Sequence, residues 1–337
     1  MAVRITSASF FSFTGLSSSR FPSKSLPLLT SSSPNSPATK TTSFVALSSP
    51  SPLMADDDDR LKFMDFPFAS GPIRDAMVDL VSTVENRLAA HLLPSTLPPD
   101  AQYCRNDPGT AHASLHIRPG HHSSPVDFIL GSWLHCKLPT GMGSLNITSL
   151  SAYLNTSTDA PNLLIELIQS SPDTLIFILD LPPRKDPVFH PDYLHEFYEQ
   201  TNLDSHRQLL EKLPEVRPYF SSSLYLRSVL SPTAIIVRIQ GGGTGRVEEI
   251  VKEYVHPVAK EVVGIWLEKC ALEKRELGAE ELVCLKKRDG LIKSKTIEID
   301  LGSNLPRLFV LTNTETELYD MKNQTIRTPE FTWYPWI

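Results

Sequence analysis

Leu163-Leu164-Ile165-Glu166-Leu167-Ile168, followed across Gln169-Ser170-Ser171-Pro172-Asp173-Thr174 by Leu175-Ile176-Phe177-Ile178-Leu179, is the stretch on which the fold turns. Each apolar run is too short for a helix, and each is bounded by Asn, Ser, Pro or Asp, so both read as strands. Working outward, residues 113–117, 126–138 and 145–153 have the same character and the same Pro, Gly, Asn, Asp and Ser punctuation. Five strands with short connections and no helix between them predict an antiparallel meander, since parallel strands would need long crossovers.

Helical patterns lie on either side of this run. Pro72 stands at a first turn, and Met77, Leu80, Val81, Val84, Leu88 and Leu92 recur at three- and four-residue spacing up to Pro94, which predicts an amphipathic helix. Residues 191–213 show helical spacing with breaks at Asn202 and Pro214, and residues 224–229 and 234–239 read as two further strands. From Arg246 to Glu276 a long helical stretch, interrupted by Pro257, carries Val247, Ile250, Val251, Val258, Val262, Ile265 and Trp266 as its apolar stripe. Helices flanking a run of strands predict an α/β fold, a three-layer α/β/α sandwich around a central antiparallel sheet.

The 337 residues allow one large domain or two ordinary ones. No uncharged apolar run approaches the ~18–20 residues of a membrane-spanning helix, so no transmembrane segment is expected. With 32 Lys and Arg against 38 Asp and Glu, the chain lacks the basic footprint of a nucleic-acid binder. Cys104, Cys136, Cys270 and Cys284 are far apart and form no C-x-x-C pair, which argues for a reducing compartment and against a zinc ribbon or a disulfide scaffold.

Residues 1–55 differ in kind. They contain no Asp or Glu, are dominated by Ser, and scatter Arg4, Arg20, Lys24 and Lys40 among Ser, Thr, Pro and Phe. That composition reads as an organelle transit peptide. A plain Ser-rich disordered tail is the alternative, and the broken apolar run 10–16 disfavours a secretory signal. Composition changes abruptly at Asp56-Asp57-Asp58-Asp59; without the leader, 28 basic residues face 38 acidic ones.

Glu166 is the one carboxyl on a strand otherwise apolar on both faces. Burial without a cation raises a carboxyl pKa and suits a proton donor, whereas an edge position or a buried Arg partner would make Glu166 structural; the sequence leaves both open. Ile297-Glu298-Ile299-Asp300-Leu301 alternates strictly, which puts Glu298 and Asp300 on one face of a strand, and a solvated face explains that pattern. Gly241-Gly242-Gly243-Thr244-Gly245 precedes a helix, but Arg246 stands where a third fingerprint glycine belongs and no G-K-[ST] follows, so it reads as a connector. His112, His116, His121 and His122 form no helical ligand pair, and Asn146-Ile147-Thr148 reads as strand.

Several segments together carry a resemblance. They are Phe63-Met64-Asp65-Phe66-Pro67, Met77-Val78-Asp79-Leu80-Val81-Ser82-Thr83-Val84-Glu85-Asn86-Arg87-Leu88, Ser114-Leu115-His116-Ile117-Arg118, Gly131-Ser132-Trp133-Leu134-His135-Cys136-Lys137, Glu166-Leu167-Ile168-Gln169-Ser170-Ser171, Leu203-Asp204-Ser205-His206-Arg207-Gln208 and Leu213-Pro214-Glu215-Val216. Over residues 61–309 the chain resembles the red chlorophyll catabolite reductases of plants, relatives of the ferredoxin-dependent bilin reductases. The resemblance implies a chloroplast stromal enzyme, with mitochondria as a second location, whose reductase domain spans 56–309. It implies that an open-chain red tetrapyrrole is reduced at the methine bridge between rings D and A, with electrons from reduced ferredoxin and no bound cofactor or metal. Local match carries the family's acidic site residues onto Glu166 and Asp300, and places Leu230, with Arg227 beside it, at the substrate. A homodimer and a working association with pheophorbide a oxygenase are implied as well.

Two departures and one alternative accompany that resemblance. Leu230 is neither the aromatic nor the smaller apolar side chain that shapes the family's pocket, which leaves the stereochemistry of the product open. After Leu305-Pro306-Arg307-Leu308-Phe309 the family continues into a helix, whereas residues 310–337 are polar and Thr-rich with no helical stripe, an atypical tail of the kind an alternative transcript gives. A non-catalytic bilin-binding protein that scavenges phototoxic tetrapyrroles is the alternative function. An acidic ferredoxin would need a local basic patch, and Lys286-Lys287-Arg288 with Lys293 and Lys295 is the best-placed cluster, a solvated helix end being its other reading.

Overall fold

The computed structural model describes residues 63–95, 97, 102–138, 143–243 and 245–299. The leader, Asp300 and the tail after 309 lie outside the described residues.

An eight-stranded, wholly antiparallel sheet forms the centre of the molecule. Strands β2 (Ala111–Pro119), β3 (Val126–Lys137), β4 (Ser144–Leu154), β5 (Leu163–Ser171) and β6 (Thr174–Asp180) follow one another as the predicted meander, with β1 (Tyr103–Arg105) added at the edge beside β2. The chain then leaves the sheet and returns with β8 (Ile235–Gln240), which pairs with β6, while the short β7 (Val216–Pro218) closes the edge beyond it. Side chains alternate across a strand, so the register sorts each residue onto one of two faces.

One face is covered by helices. Leu150, Ala152, Ile165, Leu167, Phe177, Leu179, Val237 and Ile239 point into a core shared with helix α1 (Gly71–Arg87) and with residues 247–267. Helix α1 carries Pro72 in its first turn and buries Ile73, Ala76, Met77, Leu80, Val81 and Val84; it ends at Arg87, short of the expected Pro94, so Leu88 and Leu92 of the predicted stripe are buried beyond it, on either side of a 3₁₀ turn at Ala89–His91. The amino-terminal segment is fitted to the sheet by a close approach. Trp133 Nε1 donates to the Phe63 carbonyl at 3.0 Å, and the Phe63 ring lies over Gly131, where an added Cβ would fall 2.4 Å from the ring.

Between β6 and β8 the chain forms α2 (Pro191–Leu194), a π turn at His195–Glu199, α3 (Leu203–Glu211), β7 and α4 (Leu224–Val229). After β8, α5 (Arg246–Ile250) passes through a π turn at Val251–Val255 into α6 (His256–Lys269). Pro257 lies in the first turn of α6, where its missing N–H costs nothing, so the helix continues through the expected interruption. Helix α7 (Ala279–Ile299) ends the described chain.

Two strand expectations are overturned. Residues 224–229 form helix α4, in which the Ser223 Oγ accepts from the Leu226 N–H and Leu226 and Val229 are buried three residues apart. Residues 297–299 form the last turn of the 21-residue α7, not an alternating strand. The three-residue strands β1 and β7 were not expected from the sequence, being too short to show alternation.

Candidate functional site

The second face of the sheet sets two serines and two carboxyls, Ser132, Ser149, Glu166 and Asp180, into a largely apolar surface. Its apolar part is Ala111, Ala113, Leu134, Leu145, Ile147, Leu164, Ile168, Ile176 and Ile178, with Tyr219, Leu230 and Ile236 packed against it. One row crosses this face by register: Leu115 opposite Ser132, Ser132 opposite Ser149, Ser149 opposite Glu166, Glu166 opposite Ile178, and Ile178 opposite Ile236. The row ends at Tyr219, whose N–H donates to the Ile236 carbonyl at 2.8 Å. Glu166 is thus central to the sheet and 3% exposed, and the Ser132 and Ser149 hydroxyls beside it are 2.6 Å apart. The edge-strand reading of Glu166 is excluded, because β5 is paired on both sides.

A second carboxyl on the same face was not singled out from the sequence. Asp180 lies diagonally across the β5–β6 pair from Glu166, two residues beyond Ile178. Its Oδ2 accepts from the Ser231 N–H at 2.9 Å and its Oδ1 from the Ser231 hydroxyl in a very short bond. Burial pushes the Asp180 carboxyl up to about 6, against the lowering effect of the bonds from Ser231 and the Leu181 N–H. The pair holds the chain directly after Leu230, which is half-buried and touches both the apolar face and the cluster under α7.

Helices α4 and α7 lie over one end of this face. Ile292 of α7 packs with Tyr153, Leu226 and Val229, against which Phe128, Tyr225 and Leu230 are partly buried. Lys293 of α7 pairs with Asp127 and stands over the Phe128 ring, 5.8 Å from its centroid. The basic cluster expected on this segment is therefore divided. Arg288 donates to the Pro183 carbonyl through Nε at 3.1 Å and Nη2 at 2.9 Å, and Lys293 is engaged with Asp127, whereas Lys286 and Lys287 are exposed. Arg227 is exposed on α4, whereas Leu230 at the end of that helix turns inward. Asp300 lies outside the described residues, so its relation to Glu166 is carried by the resemblance alone.

The fold is shared with a synthase solved with a bilin bound. It superposes on phytochromobilin synthase from tomato, solved in complex with biliverdin, with a TM-score of 0.51 at 17% identity, covering 74% of this chain and 80% of that one. The family model for red chlorophyll catabolite reductase matches residues 72–322, and the chain belongs to that family of oxidoreductases. Among its relatives, the chloroplastic red chlorophyll catabolite reductase of Arabidopsis thaliana is 55% identical over 261 residues, 76% of this chain and 82% of the relative. Red chlorophyll catabolite reductase 1, chloroplastic, of Oryza sativa subsp. japonica is 47% identical over 234 residues, 68% of this chain and 70% of its own. Red chlorophyll catabolite reductase of Hordeum vulgare is 47% identical over 186 residues, 55% and 90% of the two chains.

Proposed function

We propose that the protein reduces red chlorophyll catabolite to the primary fluorescent chlorophyll catabolite in chlorophyll breakdown, taking electrons one at a time from reduced ferredoxin. The observation that carries this reading is Glu166, a carboxyl 3% exposed at the centre of a largely apolar sheet face, in a chain of this family. An apolar face binds a flat conjugated ring system by burial, and excludes the water that would otherwise supply protons without direction.

The chemistry asked of the protein is modest. The conjugated substrate itself holds the unpaired electron after the first transfer, which makes it a stronger base. A carboxylic acid within reach then protonates the reduced bridge and prevents the electron from returning. Glu166 is assigned this donation, and Asp300 the positioning or second protonation; Leu230 and Arg227 are assigned to the rim that contacts substrate. No bound cofactor or metal is required in this scheme. In the three-layer arrangement we assign, α4 and α7 belong to the layer that covers the substrate, opposite the layer of α1, α5 and α6.

The setting follows from the same reading. Two relatives are named chloroplastic, which supports a chloroplast location, and the stroma is where ferredoxin is reduced. The reductase domain is assigned to 56–309 behind a transit peptide at 1–55, working as a homodimer next to the pheophorbide a oxygenase that produces its substrate. Among the described residues no helix is long and apolar enough to cross a membrane.

Anaerobic incubation with red catabolite and chemically or enzymatically reduced ferredoxin tests the assignment. Appearance of the fluorescent product supports it. Binding of the red catabolite with no product leaves the scavenging protein as the correct reading.

A further inference from the structure

On the substrate-facing side of the sheet, Arg238 of β8 stands directly opposite Arg217 of β7. Like charges in register across two strands repel one another and cost stability unless an anion lies between or above them. Neither guanidinium has an acidic partner among the described residues. Arg217 donates only to its neighbouring Val216 carbonyl at 2.8 Å, and the Arg238 Nε is buried with no hydrogen-bond partner. A buried N–H of a permanent cation left unbonded is expensive, and such a group in a folded protein calls for an explanation. The position is also built. The Tyr219 ring lies under the Arg238 guanidinium, 5.0 Å from its centroid, which holds the planar fork over the face instead of leaving it free in solvent.

Register gives the distance from this pair to the reacting centre. From Glu166 the row crosses β6 at Ile178 and β8 at Ile236, and Arg238 is two residues further along β8 on the same face. At the usual strand spacing and rise per residue, the two Cα atoms are ~12 Å apart. Between them the face is apolar, formed by Ile168, Ile176, Ile178 and Ile236. An anion held at one end, an apolar floor and a carboxyl at the other end suit a flat apolar molecule with an acidic side arm.

We propose that Arg238, with Arg217 beside it, is the carboxylate subsite of the enzyme and takes the propionate of the tetrapyrrole, so fixing which bridge lies over Glu166. The proposal rests on the reductase reading of the same face. Arginine suits the task because its fork binds a carboxylate in a bidentate manner and remains charged at all working pH values. Seating the propionate would also remove the repulsion between the two guanidinium groups, so that binding energy is realised only by substrates whose acid is free.

The test compares red catabolite with its propionate methyl ester, titrated without an electron donor into wild type, R238Q and R217Q and followed by the absorbance of the bound pigment. Wild type should bind the free acid ~10–100-fold more tightly than the ester, the range expected for a charge-assisted contact. R238Q should bind acid and ester alike, with ester affinity unchanged, and R217Q, altered at an exposed position, should lose part of the discrimination. Equal affinity of wild type for both forms, or full discrimination retained in both variants, would overturn the subsite. Turnover with reduced ferredoxin separates the two readings: wild type that reduces acid and ester at matched occupancy while showing no preference in binding remains a reductase without this subsite. Discrimination lost in R238Q from a protein that reduces neither form keeps the subsite and removes the reductase.

Discussion

Arg184 and Asp289 form a buried bidentate ion pair across 105 residues of sequence, with Nε 3.1 Å from Oδ1 and Nη2 2.5 Å from Oδ2. The Arg184 side chain is completely buried and gives its remaining donors to the Thr158 and Asn155 carbonyls at 2.7 and 3.0 Å. Asp289 lies on α7, so this pair ties the helix above one end of the Glu166 face to the loops that follow β4 and β6. Removing one member leaves the other charge buried and uncompensated. Asp289→Ala should therefore cost about 3–5 kcal/mol in unfolding free energy, read by urea denaturation. A cost below about 1 kcal/mol would show that α7 is held by other contacts.

Asp180 gives stability a pH dependence of defined sign. Its native pKa of about 6 lies above the unfolded value of 3.8, so the native state binds the proton more tightly. Its contribution is fully present below the unfolded pKa and is lost as pH rises from about 4 through 6, by ~3 kcal/mol at about 1.4 kcal/mol per pH unit. Asp180→Asn should flatten the stability profile between pH 4 and 6.5. An identical profile in the variant would assign that slope to other groups.

Gly131 has no room for a side chain beneath Phe63. Gly131→Ala should push the aromatic ring away and cost about 1–3 kcal/mol, with a matching drop in melting temperature. Phe63→Leu in the same background should recover part of the loss by vacating the space; no recovery would place the strain elsewhere.

Lys286 and Lys287 are the exposed cations of α7, since Arg288 and Lys293 are committed to Pro183 and Asp127. If ferredoxin approaches over this helix, Lys286→Glu with Lys287→Glu should raise the ferredoxin concentration needed for half-maximal rate several-fold, and more at low salt than at high. A salt dependence equal to that of wild type would move the docking surface away from α7.

What could be read from the sequence divides by the range of the interactions involved. Strands β2 to β6 show themselves because each alternates or is continuously apolar for several residues between turn formers, which is a local pattern. Helix α4 reads as a strand because its six residues, bounded by Ser221-Ser222-Ser223 and Ser231-Pro232, are too few to show a helical period; its cap at Ser223 and the burial of only Leu226 and Val229, three residues apart, decide otherwise. The end of α7 misled because Ile297-Glu298-Ile299 alternates, although buried Leu285, Asp289 and Ile292 upstream have helical spacing. Glu166 stood out as one acid in an apolar run. Asp180 did not, because it ends its strand and its partner Ser231 is 51 residues away, and the Arg238–Arg217 opposition depends on a β7–β8 register that no local pattern encodes.

On the proposed function, the sheet face bearing Glu166 is where the tetrapyrrole is protonated as it is reduced. The most direct measurement is single-turnover reduction of red catabolite by Glu166→Gln under saturating reduced ferredoxin, with substrate affinity determined on the same preparation. The amide keeps the shape and removes the acidic proton. Binding should stay within about twofold of wild type and the rate should fall by about 10²–10⁴-fold, the usual loss on removing a general acid. Reduction at the wild-type rate by a variant that binds normally would contradict that assignment.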